Sequence, residues 1–314
     1  MTRAFKHRHL LGIEGLDKAD VTTLLGAADA FYEVSRRPVR KVPTLRGKTI
    51  INVFFEASTR TRTSFELAGK RLSADVVNIS ASTSSVTKGE TLLDTMRTLE
   101  AMQSDVLVIR HPASGAAEYC AGRIKCAIVN AGDGLHEHPT QALLDAFTIK
   151  KRLGKLEGLV VAICGDVSHS RVARSNAHLL KLFGCEVRVT APRTLMPERT
   201  AEALGVRVCD RVEEAVEGAD VVMALRIQRE RIEGALLPSL REYARTFGIG
   251  ERAMKLAKPG AIVMHPGPMN RGVEIAADLA DAAASAVLDQ VEAGVAVRMS
   301  VLYHLAAEPG EALA

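Results

Sequence analysis

The sequence contains no tryptophan, and aromatic residues of all kinds make up only 4% of its 314 residues. Hydrophobic residues nevertheless account for 47% of the chain, so the core must be mostly aliphatic. An aliphatic core with few rings favours layered packing of helices on sheets over a binding module built on exposed aromatic side chains.

Cysteine is also scarce, and the five that occur form no C-x-x-C pair. The five are Cys120, Cys126, Cys164, Cys185 and Cys209, and most of them lie inside apolar, strand-like runs. An odd number of cysteines in such positions indicates reduced core residues rather than a disulfide framework.

Long apolar runs and long basic runs are both missing. No segment approaches the roughly 20 apolar residues that cross a bilayer, and residues 1–16 have neither the apolar core nor the cleavage site of a signal peptide. The net charge of +4 is small for this length and is dispersed. We therefore expect a soluble, cytoplasmic protein that binds small anions rather than nucleic acid or membrane.

What the sequence does contain is a repeated alternation of strand and helix patterns over a length that suits two domains. A fresh alternation starts at Leu159, after a long helical pattern. The pattern predicts an α/β fold with two doubly wound parallel-sheet domains joined by interdomain helices. The predicted division is residues 1–150, joined by a C-terminal helix at 283–308, and residues 151–282.

The stretch from Ile50 to Leu72 carries the strongest functional signal. Its apolar first half predicts a strand covered on both faces, and a helix begins near Ser58 or Thr59. A helix start at the carboxyl end of a buried strand attracts anions, and two hydroxyls and two arginines follow there: Thr59, Arg60, Thr61 and Arg62. Glu56 and Glu66 are close enough in sequence to hold the arginines. The alternative is a capped helix with two solvated arginines.

The segment FFEASTRTRTSFE at residues 54–66 resembles the carbamoyl phosphate signature of the aspartate and ornithine carbamoyltransferases. The resemblance continues in order along almost the whole chain. It implies a first domain that binds carbamoyl phosphate, a second domain that binds the amine substrate, and no metal or organic cofactor.

Further clusters follow other predicted strands. Alone, Arg110 could be half of a surface ion pair, and His136-x-His138 could suggest zinc, but no third ligand with recognisable spacing follows. The resemblance instead implies a set of carbamoyl phosphate contacts, the last two through the backbone: Ser58, Thr59, Arg60, Thr61, Arg110, His138, Gln141, Gly267 and Pro268.

The second substrate is indicated by cations in the rest of the chain. The segment GDVSHSRVARSN at residues 165–176 lacks G-x-G-x-x-G, so a dinucleotide site is not expected. The resemblance implies that Arg171, Arg226 and Gln228 read aspartate, together with Lys88 of an S-x-x-x-K-G-E-T loop. Three cations suit two carboxylates and would repel the ammonium group of ornithine. The segment H-P-G-P also lacks the cysteine of the ornithine enzymes.

The resemblance implies that carbamoyl phosphate and L-aspartate give N-carbamoyl-L-aspartate and phosphate, an early step of pyrimidine biosynthesis. The implied catalytic residues are Arg60, Thr61, Arg110, His138 and Lys88. Family enzymes donate the loop to a neighbouring subunit, which implies a homotrimer in which Ser84 and Lys88 cross over, with adjacent Ser85 as the alternative to Ser84. A higher assembly with regulatory or dihydroorotase chains stays open. Two rivals remain: a carbamoyltransferase for another amine, and a noncatalytic scaffold.

Overall fold

A computed structural model describes residues 5–80, 89–228 and 239–307. The chain forms two compact units, each described by itself below. The first comprises Met1–Leu144 and Glu292–Ala314, and the second comprises Asp145–Val291. Ser84, Ser85 and Lys88, for which the sequence analysis predicts a role, lie outside the described residues.

The first unit is built on a four-stranded, all-parallel sheet in the order β2-β1-β3-β4. The strands are β1 Thr49–Phe54, β2 Asp75–Ser80, β3 Val106–His111 and β4 Ala127–Asp133. Every residue of β4 and all but the first of β1 are buried, as an apolar run covered on both faces requires.

Helices flank this sheet, and the longest of them shows why its sequence starts a helix where it does. Asp17 caps it by accepting the N–H of Asp20, and the Asp20 carboxylate accepts the N–H of Asp17 in return. The helices are α1 Lys18–Val34, α2 Thr59–Arg71, α3 Leu92–Ala101 and α4 Ala116–Ala121.

The second unit contains a five-stranded, all-parallel sheet in the order β7-β6-β5-β8-β9. Its strands are β5 Val160–Cys164, β6 Glu186–Thr190, β7 Arg207–Cys209, β8 Val221–Ala224 and β9 Ile262–Met264. An apolar cluster of mainly alanine and valine packs against it, including Ala162, Val222 and Val263. The core is aliphatic, as the composition predicts.

Short helices connect the strands of the second unit, and two longer helices contain the points at which the units divide. The short helices are α6 Arg171–Leu182, α7 Thr200–Leu204, α8 Val212–Val216, α9 Leu240–Phe247, α10 Glu251–Met254 and α11 Ala277–Ala280, with a 3-10 turn at Arg193–Leu195. The longer helices are α5 Pro139–Leu153, placed between β4 and β5 in the chain, and α12 Val287–Ala306.

The last helix begins later than the sequence predicts. Residues just before it extend the sheet instead, because Val263 donates its N–H to the Ala284 carbonyl and accepts the N–H of Ala286, each at 2.8 Å. Helical periodicity cannot reveal that these residues pair with β9.

The α/β prediction is confirmed: two parallel-strand sheets carry flanking helices. Among the described residues, no helix combines the length and the apolar character that a membrane span needs.

Candidate active site

In the sheet of the first unit, β2 lies on one side of β1, and β3 and β4 lie on the other side. The loops after β1 and β3 therefore meet at a topological switch point, where open α/β sheets bind ligands. The loop after β1 is joined directly to the end of β3, because Phe55 donates its N–H to the Arg110 carbonyl at 2.8 Å. The sequence-predicted helix start follows β1 here, and Arg110 lies at the carboxyl end of β3.

Helix α2 begins at this switch point. We call its start open because the N-cap side chain bonds none of the N–H groups of the first turn. Ser58 is the N-cap in extended conformation, but its side chain makes no capping hydrogen bond. Thr59 and Arg60 are exposed, and Thr61 is buried. An N-terminus that its own cap residue leaves unbonded offers backbone N–H groups and the positive end of the dipole to an anion.

Arg110 is held between an acidic side chain and a backbone carbonyl. Its guanidinium donates to Glu56 Oε1 at 2.6 Å and to the Ala131 carbonyl at 3.3 Å. The Arg110 side chain is only 11% exposed. A charge-assisted bond at this distance fixes the direction of the guanidinium.

The two predicted glutamates also bond groups that the sequence did not indicate. Glu56 accepts a hydrogen bond from Arg110, and Glu66 has an electrostatic interaction with Arg62, as predicted, beside its hydrogen bonds. Glu66 accepts from Lys70 at 2.6 Å and from Asn78 at 2.8 Å, and the bond from Lys70 lowers the pKa of Glu66. Arg62 donates to Ser80 at 3.1 Å. Arg62 is thus tied to the end of β2, whereas Arg60 lies on the exposed side of the first turn.

His138 and Gln141 follow β4 and sit at the start of α5, as predicted. Both are buried, and the N–H of Gln141 donates to the His138 carbonyl at 2.9 Å. The preceding loop is built around Asp133: its Oδ1 accepts from Asn130 at 2.7 Å and from the Glu137 N–H at 3.1 Å. Sequence reasoning did not identify these supporting residues.

Among the described residues, the structure gathers three possible metal ligands near this loop, and of the His136-x-His138 pair only His136 is one of them. Ligand atoms of Glu14, His136 and Glu137 lie within 4.8 Å of one another. The carboxylate of Glu137 already accepts the N–H groups of Ile13 at 2.7 Å and Glu14 at 3.0 Å. These bonds explain the burial of Glu137 without a cation.

The second unit has its switch point between β5 and β8. The loop after β5 leads to Arg171, the first residue of α6, which is 5% exposed. Gln228, after β8, donates to the His169 carbonyl at 2.9 Å. Arg171 at the start of α6 and Gln228 in the loop after β8 therefore lie beside this switch point, with Arg226 two residues before Gln228.

The loop after β8 is shaped by a buried acid that sequence reasoning missed. Glu274 accepts the N–H of Ile227 at 3.0 Å and the N–H of Asn270 at 2.6 Å. The carboxylate thus joins the backbone beside Arg226 to the loop after β9. Its sequence position, one of many glutamates, gave no signal of this role.

The predicted backbone contacts, Gly267 and Pro268, lie in the loop after β9 and are joined by a cis peptide bond. Gly267 has φ +62° and donates its N–H to His265 Nδ1 at 2.8 Å. The N–H of His265 donates to Gln290 Oε1 at 3.0 Å, and Gln290 donates to Asp145 at 2.7 Å. A chain of hydrogen bonds within this unit therefore supports the loop.

All five cysteines are free thiols, as predicted. Burial raises the pKa of each thiol, to about 11 for Cys120 and to about 12 for Cys164. A raised pKa leaves almost no thiolate near neutral pH, so none of these groups is an activated nucleophile.

Two family models match the chain. One, described as the carbamoyl-P binding domain of aspartate/ornithine carbamoyltransferase, matches residues 8–151. The other, described as the Asp/Orn binding domain of aspartate/ornithine carbamoyltransferase, matches residues 157–305.

Individual relatives match over nearly their full length. The chain is 67% identical over 311 residues to the aspartate carbamoyltransferase catalytic subunit of Sorangium cellulosum, covering 99% of this chain and 97% of the relative. The corresponding Geobacter sulfurreducens subunit is 58% identical over 301 residues, with coverage of 96% and 97%. A crystal structure of Trypanosoma cruzi aspartate transcarbamoylase with carbamoyl phosphate and aspartate matches with a TM-score of 0.87 at 35% identity, covering 98% of this chain and 100% of that chain.

Proposed function

The chain belongs to the aspartate/ornithine carbamoyltransferase family, and on that premise we propose that its two switch points bind carbamoyl phosphate and L-aspartate. The enzyme transfers the carbamoyl group to the amine of L-aspartate and releases phosphate, a step of de novo pyrimidine biosynthesis. The observation that carries this function is the open start of α2 at the switch point of the first unit, beside a guanidinium fixed by Glu56.

Carbamoyl phosphate is the ligand of the first unit. Its phosphate accepts hydrogen bonds from the α2 N-terminus and from side chains that the family resemblance names. The phosphate-binding residues are Ser58, Thr59, Arg60, Thr61 and Arg110. Thr61, Arg110 and His138 donate to the carbonyl oxygen, and Gln141 binds the carbamoyl amide. The backbone of Gly267 and Pro268 is predicted to contact the carbamoyl group.

Aspartate is the ligand of the second unit. Arg171 and Arg226 present guanidiniums that match carboxylates in geometry and charge, and Gln228 adds an amide. The bond from Gln228 to the His169 carbonyl supports this assignment, because it keeps the residues after β5 and β8 together. Lys88, outside the described residues, completes the proposed set.

The reaction is a direct attack. The lone pair of the aspartate amine forms a bond to the carbamoyl carbon, and the carbonyl electrons move to oxygen, where Arg110, His138 and Thr61 stabilise the oxyanion. When this intermediate collapses, the carbon–oxygen bond to phosphate breaks. The departing phosphate accepts the amine proton. Catalysis then rests on positioning and charge complementarity, without a covalent enzyme intermediate.

A product assay tests the function. The purified chain is given carbamoyl phosphate with either aspartate or ornithine, and the carbamoylated product is measured. We expect product from aspartate alone. Product from ornithine would favour the other branch of the family, and a folded protein that makes neither product would favour a noncatalytic scaffold.

We further propose a homotrimer in which Ser84 and Lys88 serve a neighbouring chain. Lys88→Gln and Arg60→Ala chains, each impaired alone, should together exceed the activity of either parent when mixed oligomers form, because one kind of site then receives both intact groups. The measurement is activity after mixing under conditions that exchange subunits, with mass analysis to establish that mixed oligomers have formed. Mixed oligomers without any regained activity would contradict the shared site.

A further inference from the structure

The first unit has a second basic pocket at the edge of its sheet opposite to the proposed carbamoyl phosphate groups. Because the strands are parallel, their amino ends share one edge, and the residues just before β1, β3 and β4 line a cavity of about 760 Å³ there. The ends of α3 and α12 complete its wall. Four cations and two carboxylates line it: Arg8, Lys48, Arg97, Lys125, Glu100 and Asp105.

Both carboxylates of the pocket are engaged. Asp105 accepts the N–H of Thr49 at 2.8 Å and lies 3.4 Å from Lys48 Nζ. Glu100 accepts the N–H of Cys126 at 2.9 Å and also that of Lys125. These bonds fix the loops before the strands, so both acids have a structural role. In the described ranges, neither carboxylate forms an ion pair with the side chain of Arg8, Arg97 or Lys125.

Arg97 and Lys125 are the cations that a ligand would meet. Both are exposed, and within the part of the chain that the structure describes no carboxylate forms an ion pair with either side chain. Arg8 is also exposed and donates to the Lys125 carbonyl. The Lys125 carbonyl carries no net charge, so this hydrogen bond does not neutralise the charge of Arg8.

An alternative explanation is that the cations only balance the negative ends of α3 and α12. Each helix C-terminus carries roughly −0.5 charge, so the two ends together need about one cation. With the two carboxylates, about three of the four cations are accounted for. The pocket keeps a net charge of about +1 before any ligand enters, and its two unpaired cations are free to turn toward an anion.

We propose that this pocket binds a small organic diphosphate. Its volume lies in the range of small-molecule sites, roughly 300–1,000 Å³, and far exceeds a single phosphate. Aliphatic residues line part of the wall and suit the organic portion: Ala101, Ala127, Leu305, Ala306 and Ala307. Cations contributed by separate elements, with Arg97 in α3 and Lys125 in the loop before β4, suit charge spread over two phosphates rather than one bidentate carboxylate. The site is separate from the proposed reaction.

The test is calorimetric titration of the full chain with inorganic pyrophosphate, the shared part of such ligands, in saturating carbamoyl phosphate to occupy the first switch point. We expect binding to persist and to weaken at least tenfold in Arg97→Gln/Lys125→Gln. Arg46→Gln, an exposed cation outside the pocket, is the matched control and should bind within twofold of the wild type. All three chains should have the same melting temperature, since the altered side chains are exposed.

Two results would overturn the proposal. One is pyrophosphate binding that carbamoyl phosphate abolishes, or no binding at all, because the pocket then holds no anion of its own. The other is equal binding by the double variant and the wild type. Since neither result depends on product formation, both are distinguishable from a failure of the carbamoyl transfer assay.

Discussion

The switch points of the two units have the same topology but present charge in different ways. In the first unit, the N-cap side chain of α2 makes no hydrogen bond to the helix, so the helix start itself is available to a ligand. In the second, Ser170 caps α6 by accepting the N–H of Ala173 at 3.2 Å, and the buried side chain of Arg171 carries the charge. A phosphate suits the first arrangement, and a carboxylate suits the second.

The acids that support the two switch points differ in the same sense. Glu56 directs a side chain, because its carboxylate bonds the guanidinium of Arg110. Glu274 instead directs backbone, because it accepts the N–H groups of Ile227 and Asn270. The comparison teaches that one topology can be adapted to two anions by moving the hydrogen-bond donors from helix start to side chain.

Arg110→Ala should cause the largest loss, because it removes a cation from the first switch point and leaves Glu56 there without this partner. Two charge-assisted contacts at about 1.5–3 kcal/mol each correspond to a fall in kcat/KM of about a hundredfold to twenty-thousandfold. Steady-state kinetics measure the fall, and circular dichroism checks folding. Glu56→Gln, which keeps the acceptor oxygen but removes the charge, should lose less. A folded Arg110→Ala enzyme with near-normal kcat/KM would contradict the proposed role.

Arg60→Ala tests the open helix start and should have the next largest effect. The loss of one charge-assisted phosphate contact, about 1.5–3 kcal/mol, lowers kcat/KM by about tenfold to 150-fold. Arg62→Ala, on the same helix but bonded to Ser80, is the control and should change kcat/KM less. If the two substitutions had equal effects, the distinction between the exposed and the tied arginine would be lost.

Arg171→Lys tests the side-chain site of the second unit. Lysine keeps the charge but cannot form the paired hydrogen bonds of a guanidinium with a carboxylate. We expect the KM for aspartate to rise about tenfold, while the affinity for carbamoyl phosphate, measured by titration without aspartate, stays unchanged. A selective loss of carbamoyl phosphate affinity would reverse the assignment of the two units.

Local patterns were enough to predict the parts of the site that a short segment encodes. The apolar run before Glu56 predicts β1, Ser58 predicts the start of α2, and polar residues that follow apolar runs place Arg110 at the end of a strand and His138 in a loop. The pairings that hold these groups join distant residues: Glu56 to Arg110 across 54 positions and Ile227 to Glu274 across 47. No periodicity or cap signal encodes such a pairing, because it arises only when the sheet assembles.

The smallest expected effect concerns pH and the rim of the first switch point. Burial lowers the pKa of His111, whose ring lies 5.0 Å from that of Phe55 between centroids and whose Nδ1 accepts the N–H of Ala113 at 2.9 Å. Burial also lowers the pKa of His9 and His304, both in the first unit. Below the ordinary histidine pKa of about 6.5, the unfolded chain therefore binds more protons than the folded one.

The sign follows directly: the free energy of unfolding is greater above that pH and falls as the pH drops through it. Urea unfolding at pH 7.5 and 5.5 should show the lower value at pH 5.5 in the wild type. In His111→Asn, whose side-chain oxygen can accept the Ala113 N–H without titrating, the difference between the two pH values should be smaller. An undiminished difference would mean that the folded state does not disfavour protonation of His111, and that the rim of the first switch point tolerates a third positive charge beside Arg110 and Arg60.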